Sequence, residues 1–171
     1  QPLQGIARPA LVASLPTMDG GKTIMLDLGA NLECDAQNLY QFALMGNIFA
    51  QNQLDLVFPR IALLNIGVEA IKGRQAIREA ATLLAQNTEL NYCGFIEGNQ
   101  LLNGVADVII SDGFSGNIAL KTLEGAANNL ISLLKGKTKN SILKPLFKGL
   151  MRLLLNDRYQ RLKRINPDAY N

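Results

Sequence analysis

Four short apolar runs, each closing on a glycine beside a carboxylate or an amide, constrain this chain more than any other feature. They are Ile24–Leu28 ending in Gly29, Ile61–Ile66 ending in Gly67, Tyr92–Ile96 ahead of Glu97 and Gly98, and Val108–Ile110 ahead of Asp112 and Gly113. Helical patterns separate them. Asp35 stands where an N-cap precedes a helix through Gln51, with Leu39, Phe42, Ala43, Gly46 and Phe49 as its buried stripe. After Gly73 a second helix carries Ile77, Ala80, Ala81 and Leu84 inward, and a third is expected to open near Gly116 and Asn117. Strands apolar throughout, alternating with helices, predict an α/β fold: a mostly parallel, Rossmann-like sheet covered by helices on both faces.

In such sheets ligands bind beyond the carboxyl ends of the strands. Here those ends read Asp27 to Asn31, Asn65 to Glu69, Glu97–Gly98 and Asp112 to Asn117, so one shared polar site is expected there. The turn at Asp112, Gly113, Ser115 and Gly116 is where backbone N–H groups can approach an anion, and phosphate is the first ligand to consider. The same residue types also cap helices and tie down turns, so each carries a structural alternative.

With 171 residues, 48% of them hydrophobic and 18% charged, the composition is that of a soluble globular protein with one sizeable core. The start at Gln1, without a signal sequence or an apolar run of membrane-crossing length, predicts a cytoplasmic piece of a longer chain. Cys34 and Cys93 lack metal-ligand spacing and are expected to be buried free thiols, with no metal site and no cofactor. The chain contains no histidine, so a Ser-His-Asp or Cys-His relay cannot be assembled from it. A nucleophile brought by the substrate meets that constraint.

The net charge of +3 conceals a division: residues 1–134 hold seven Lys/Arg against twelve Asp/Glu, and residues 135–171 hold ten against two. We therefore divide the chain into an α/β catalytic portion, 1–134, and a basic amphipathic hairpin region, 135–171. In the latter, Lys144, Lys148 and Arg152 fall on one helical face, and Phe147 and Leu150 belong to the apolar opposite face. Such a helix can lie on an anionic membrane or bury its leucines against another helix or a second subunit.

The segments Ile6–Leu11, Leu26–Asn31, Leu64–Gly67 with Lys72–Gly73, Ile96–Gly98 and Ser111–Lys121, in that order, resemble the bacterial phosphate acyltransferase family of phospholipid synthesis. The resemblance implies transfer of a fatty acyl group from acyl-acyl-carrier protein to inorganic phosphate, on a fold like that of phosphotransacetylases and the isopropylmalate dehydrogenase group. It implies Lys72 and Asn117 as active-site residues, holding phosphate or the developing oxyanion. Asp112 then orients Lys72 or takes a proton, and Asp27, Asn31, Glu69 and Glu97 stand further back. It also implies acyl-carrier protein as partner, a homodimer, no nucleic acid, and a helical hairpin in peripheral contact with the inner face of the cell membrane. Family members are longer, so the chain is expected to be a C-terminal part, with a half before Gln1 and further strands after Asn171. Two other readings stand beside this one: a phosphotransacetylase-like or dehydrogenase-like enzyme of the same fold, though no GxGxxG turn is present, or a non-catalytic membrane or carrier-protein binding module needing only the tail.

Overall fold

The computed structural model describes residues 7–69 and 71–134; the tail residues Lys144, Phe147, Lys148, Leu150 and Arg152 lie outside them. By compactness the chain divides into units at residues 1–122 and 123–171. The first holds one five-stranded sheet. Its elements are β1 (Val12–Pro16), β2 (Lys22–Leu26), α1 (Ala36–Leu54), β3 (Arg60–Leu64), α2 (Gln75–Gln86), β4 (Asn91–Ile96), a 3-10 turn at Gly98–Gln100, β5 (Val108–Ile110) and the start of α3 (Gly113–Leu134). Strand order is β1-β2-β5-β3-β4, with β1 antiparallel to β2 and every other pair parallel. The chain thus crosses from β2 over to β3, steps out to β4, and returns to lay β5 between β2 and β3. That reversal gathers the ends of β2, β5 and β3 side by side at the middle of the sheet.

The apolar runs of β2, β3 and β5 become buried strands because both of their faces are covered. Ile24, Leu26, Ile61, Leu63, Val108 and Ile110 form one core with Leu39, Phe42, Ala43 and Ala50 of α1 and with Ala80 and Leu84 of α2. Met25, Ala62 and Ile109, which alternate with them, are buried as well. Asp35 caps α1 as expected: its carboxylate accepts from Asn38 N at 2.7 Å, and Asn38 Oδ1 accepts from Asp35 N at 3.3 Å.

Four expectations are corrected. Phe49 is 37% exposed, and Ala50 takes its place in the stripe; at 3.6 residues per turn Ala50 returns to within roughly 20° of Leu39, and Phe49 falls about 80° to the side. Ile66 lies past the end of β3 and is 80% exposed. Helix α3 opens at Gly113, four residues before Asn117, because the Asp112 carboxylate already caps it by accepting from Ser115 N at 2.6 Å. Cys93 is free but exposed, on the edge strand β4, with Sγ donating to Ile61 O at 3.2 Å. Among the described residues no helix is long and apolar enough to cross a membrane.

Candidate functional site

Asp27, directly after β2, is the anchor of the strand-end region. Its side chain is fully buried, and its two oxygens accept five hydrogen bonds. Oδ1 takes the N–H groups of Leu11, Gly29 and Ala30 at 2.9, 3.2 and 3.0 Å. Oδ2 takes Asn31 N at 2.7 Å and Asn31 Nδ2 at 2.8 Å. Burial by itself would raise this carboxyl's pKa; the Asn31 side chain and then the Ala30, Leu11 and Asn31 N–H groups outweigh it and hold the pKa below the ordinary value. With five protein donors on its two oxygens, Asp27 shapes the loop that follows β2.

That loop is stitched to β5 and α3. Ser111 N donates to Leu26 O at 2.8 Å, Asp27 N to Ser111 O at 3.0 Å, and Ser111 Oγ to Asp27 O at 3.0 Å. Gly113 N donates to Asn31 O at 2.7 Å. Gly116 rests so closely on the Asp27 carbonyl that any Cβ there would overlap it, which is why the turn needs glycine at this position. Asn117, one residue on, is exposed, and its Nδ2 donates to Leu28 O at 3.2 Å. Asp27, Asn31, Gly113, Gly116 and Asn117 therefore converge.

Lys72 belongs to a second group, on the loop from β3 to α2. Its ammonium pairs with Glu69 at 2.9 Å, and both side chains are about half exposed. The Glu69 carboxylate raises the Lys72 pKa above its ordinary range, with a smaller pull from Glu97. Glu97 itself begins the 3-10 turn, its N–H donating to Gln100 Oε1 at 3.0 Å. Asp112 does not orient Lys72: its cation is Arg74, with Nη1 at 3.1 Å from Oδ2. Lys72 is instead turned to the carboxylate three residues before it, the nearer partner along the loop.

Arg74 joins the two groups, since its other terminal nitrogen lies 3.5 Å from Ser115 Oγ. Reading the sequence missed it. The available signal was a cation at the residue before a helix, where the positive end of the helix dipole disfavours it unless a carboxylate compensates. Arg74 is the N-cap of α2 and makes no side-chain cap bond, and the first turn of α2 carries no acidic residue. The two helix starts thus share an ion pair: the Asp112 carboxylate that caps α3 also meets Arg74 at the start of α2, near which Lys72 is paired with Glu69 and Arg78 donates to Gly73 O.

An open groove of about 980 Å³ runs beside α2's first residues, Gln75 and Ala76, and along the Asn31–Asp35 loop to Asn38. Cys34 lines it, but burial pushes that thiol up to about 11, so it stays protonated at neutral pH and is a poor nucleophile.

A family model described as a fatty acid synthesis protein matches residues 1–171. The chain belongs to this family. Among curated relatives of this family member, a protein named phosphate acyltransferase from Mannheimia succiniciproducens is 74% identical over the whole chain, and one of the same name from Pasteurella multocida is 70% identical. The chain spans 51% and 50% of those proteins, about half of their length. The fold is similar to two solved phosphotransacetylases. That from Staphylococcus aureus has a TM-score of 0.59 at 19% identity over 74% of this chain and 44% of its own, and that from Streptococcus pyogenes 0.59 at 20% over 72% and 43%.

Proposed function

We propose that this chain carries strand-end residues of an acyltransferase that moves a fatty acyl group from the thioester of acyl-acyl-carrier protein to inorganic phosphate, giving acyl phosphate for phospholipid synthesis. The observation that carries the reading is the 74% identity, along the entire chain, to a protein named phosphate acyltransferase. The chemistry of the site supports it. Phosphate is itself the nucleophile, so the reaction asks the protein to hold an anion beside a thioester carbonyl and to stabilise the oxyanion that forms. Lys72 and the exposed amide of Asn117 are the groups we assign to those tasks.

Asn31, Gly113, Ser115 and Gly116 then build the wall against which substrate rests, and Asp27 and Asp112 fix that wall without touching the reacting atoms. We further assign acyl-carrier protein, a homodimeric state and peripheral contact with an anionic membrane face to the whole protein, the last through Lys144, Phe147, Lys148, Leu150 and Arg152. The ten basic residues of 135–171 support an acidic partner or surface. The experiment is acyl phosphate formation by the full-length parent from acyl-acyl-carrier protein. Product that requires phosphate is expected; thioester loss indifferent to phosphate would reject the assignment.

A further inference from the structure

We infer that Asn65 is a positioning residue that sets Lys72 for its work, an inference that rests on the role of Lys72 proposed above. Asn65 directly follows β3 and is 7% exposed. Its backbone N–H is fixed to the neighbouring strand by a 2.9 Å bond to Ile96 O. From that anchored position Nδ2 reaches along the loop and donates to the Lys72 carbonyl at 3.1 Å. Gly73, at φ +87°, brings the backbone flat against the same carboxamide, where a Cβ would collide with Asn65 Oδ1. The segment that presents Lys72 is therefore clamped from the sheet through one side chain.

The other half of that side chain bears on what the clamp is for. Asn65 Oδ1 is buried and has no hydrogen-bond partner among the described residues. An acceptor without a partner in the interior opposes folding, and an aliphatic side chain of similar shape would avoid the cost. The amide is retained for what its nitrogen holds. What it holds is the peptide unit between Lys72 and Gly73, whose orientation sets the direction in which the Lys72 side chain leaves the backbone. Displacing a reacting group by about 1 Å is enough to lose on the order of a hundredfold in rate.

The test is a double-mutant cycle in the full-length parent, assayed for acyl phosphate formation. Asn65→Asp keeps the shape and replaces the donor with an acceptor facing a carbonyl. It should lower turnover by about tenfold to a hundredfold, and the loss should divide between kcat and the KM for phosphate as it does in Lys72→Ala. In the Lys72→Ala background the same change should cost nothing further, because its target is gone. If Asn65→Asp does not fold, Gly73→Ala disturbs the same clamp from the other side and should show the same silence in the Lys72→Ala background. A loss that persists undiminished without Lys72, or no loss where Lys72→Ala is crippling, overturns the inference and leaves the proposed function standing. Near-normal turnover in Lys72→Ala overturns both the role of Lys72 and this inference, whereas a wild-type parent that makes no acyl phosphate rejects the function itself.

Discussion

Replacing Asp27 with asparagine should be among the most damaging isosteric changes available in this chain. The carboxylate accepts from three N–H groups at Oδ1 and from two at Oδ2, all donors. An asparagine must turn its own NH2 toward one of these sets. Placing it on the smaller sets it against the two donors of half-buried Asn31, and each donor left unpaired away from water costs about 1–3 kcal/mol. The surviving bonds also lose their charge assistance. The expected destabilisation is about 3–5 kcal/mol, a large share of the roughly 5–15 kcal/mol available to a domain. It should appear in urea titration as a lower midpoint at unchanged slope.

The pH dependence carries a definite sign. The Asp27 carboxyl is held below its ordinary value of 3.8, so its stabilisation is present above that value and is lost as pH falls through the lower folded pKa. The gap between wild type and Asp27→Asn should therefore be full at neutral pH and narrow in acid. A loss below about 1 kcal/mol at neutral pH, or a gap that widens on acidification, would refute the reasoning that five donors define this residue.

Lys72→Ala and Asn117→Ala in the full-length parent should each lower turnover by on the order of a hundredfold, the scale for losing one transition-state donor, without shifting thermal unfolding; phosphate-dependent assays with calorimetry check both. Arg60→Ala should cost about 1–2 kcal/mol in urea titration, because Nε and Nη2 of the half-exposed guanidinium bind Asp107 at 3.0 and 2.8 Å and join the starts of β3 and β5. Charged replacements of Phe147 and Leu150 should abolish binding to anionic vesicles and leave turnover on soluble carrier-protein substrate intact; sedimentation with vesicles measures the first, and unchanged binding would rule out lipid contact by that face.

Much of the fold was legible because burial on two faces writes itself as continuous apolar runs. The strands β2, β5 and β3 follow from that; the stripes of α1 and α2, Phe49 apart, follow from helical periodicity, and the Asp35 cap from a partner three residues away. The edge strand β1 was not read. One of its faces is largely exposed, Pro16 closes it, and its pairing with β2 is a tertiary fact that no local pattern announces. In the site, Asp27, Asn31 and the Asp112–Asn117 turn were recognisable as strand ends, but their division of labour was not. Whether a carboxylate faces substrate or its own backbone depends on contacts such as Leu11 N to Asp27, sixteen residues apart. Pairing Asp112 with Lys72 failed for the same reason: Lys72 and Arg74 are two residues apart and both distant from Asp112 in sequence, and only the folded loop decides which cation meets it.

The central claim is that phosphate attacks the thioester directly, held by Lys72 and Asn117, with no acyl group passing through the protein. Intact-protein mass measurement of the full-length parent tests it. Incubation with acyl-acyl-carrier protein alone should leave both masses unchanged, and adding phosphate labelled at all its oxygens should release free carrier protein and acyl phosphate carrying every labelled oxygen. An acyl adduct on the enzyme, or release of free carrier protein before phosphate is added, would contradict the account.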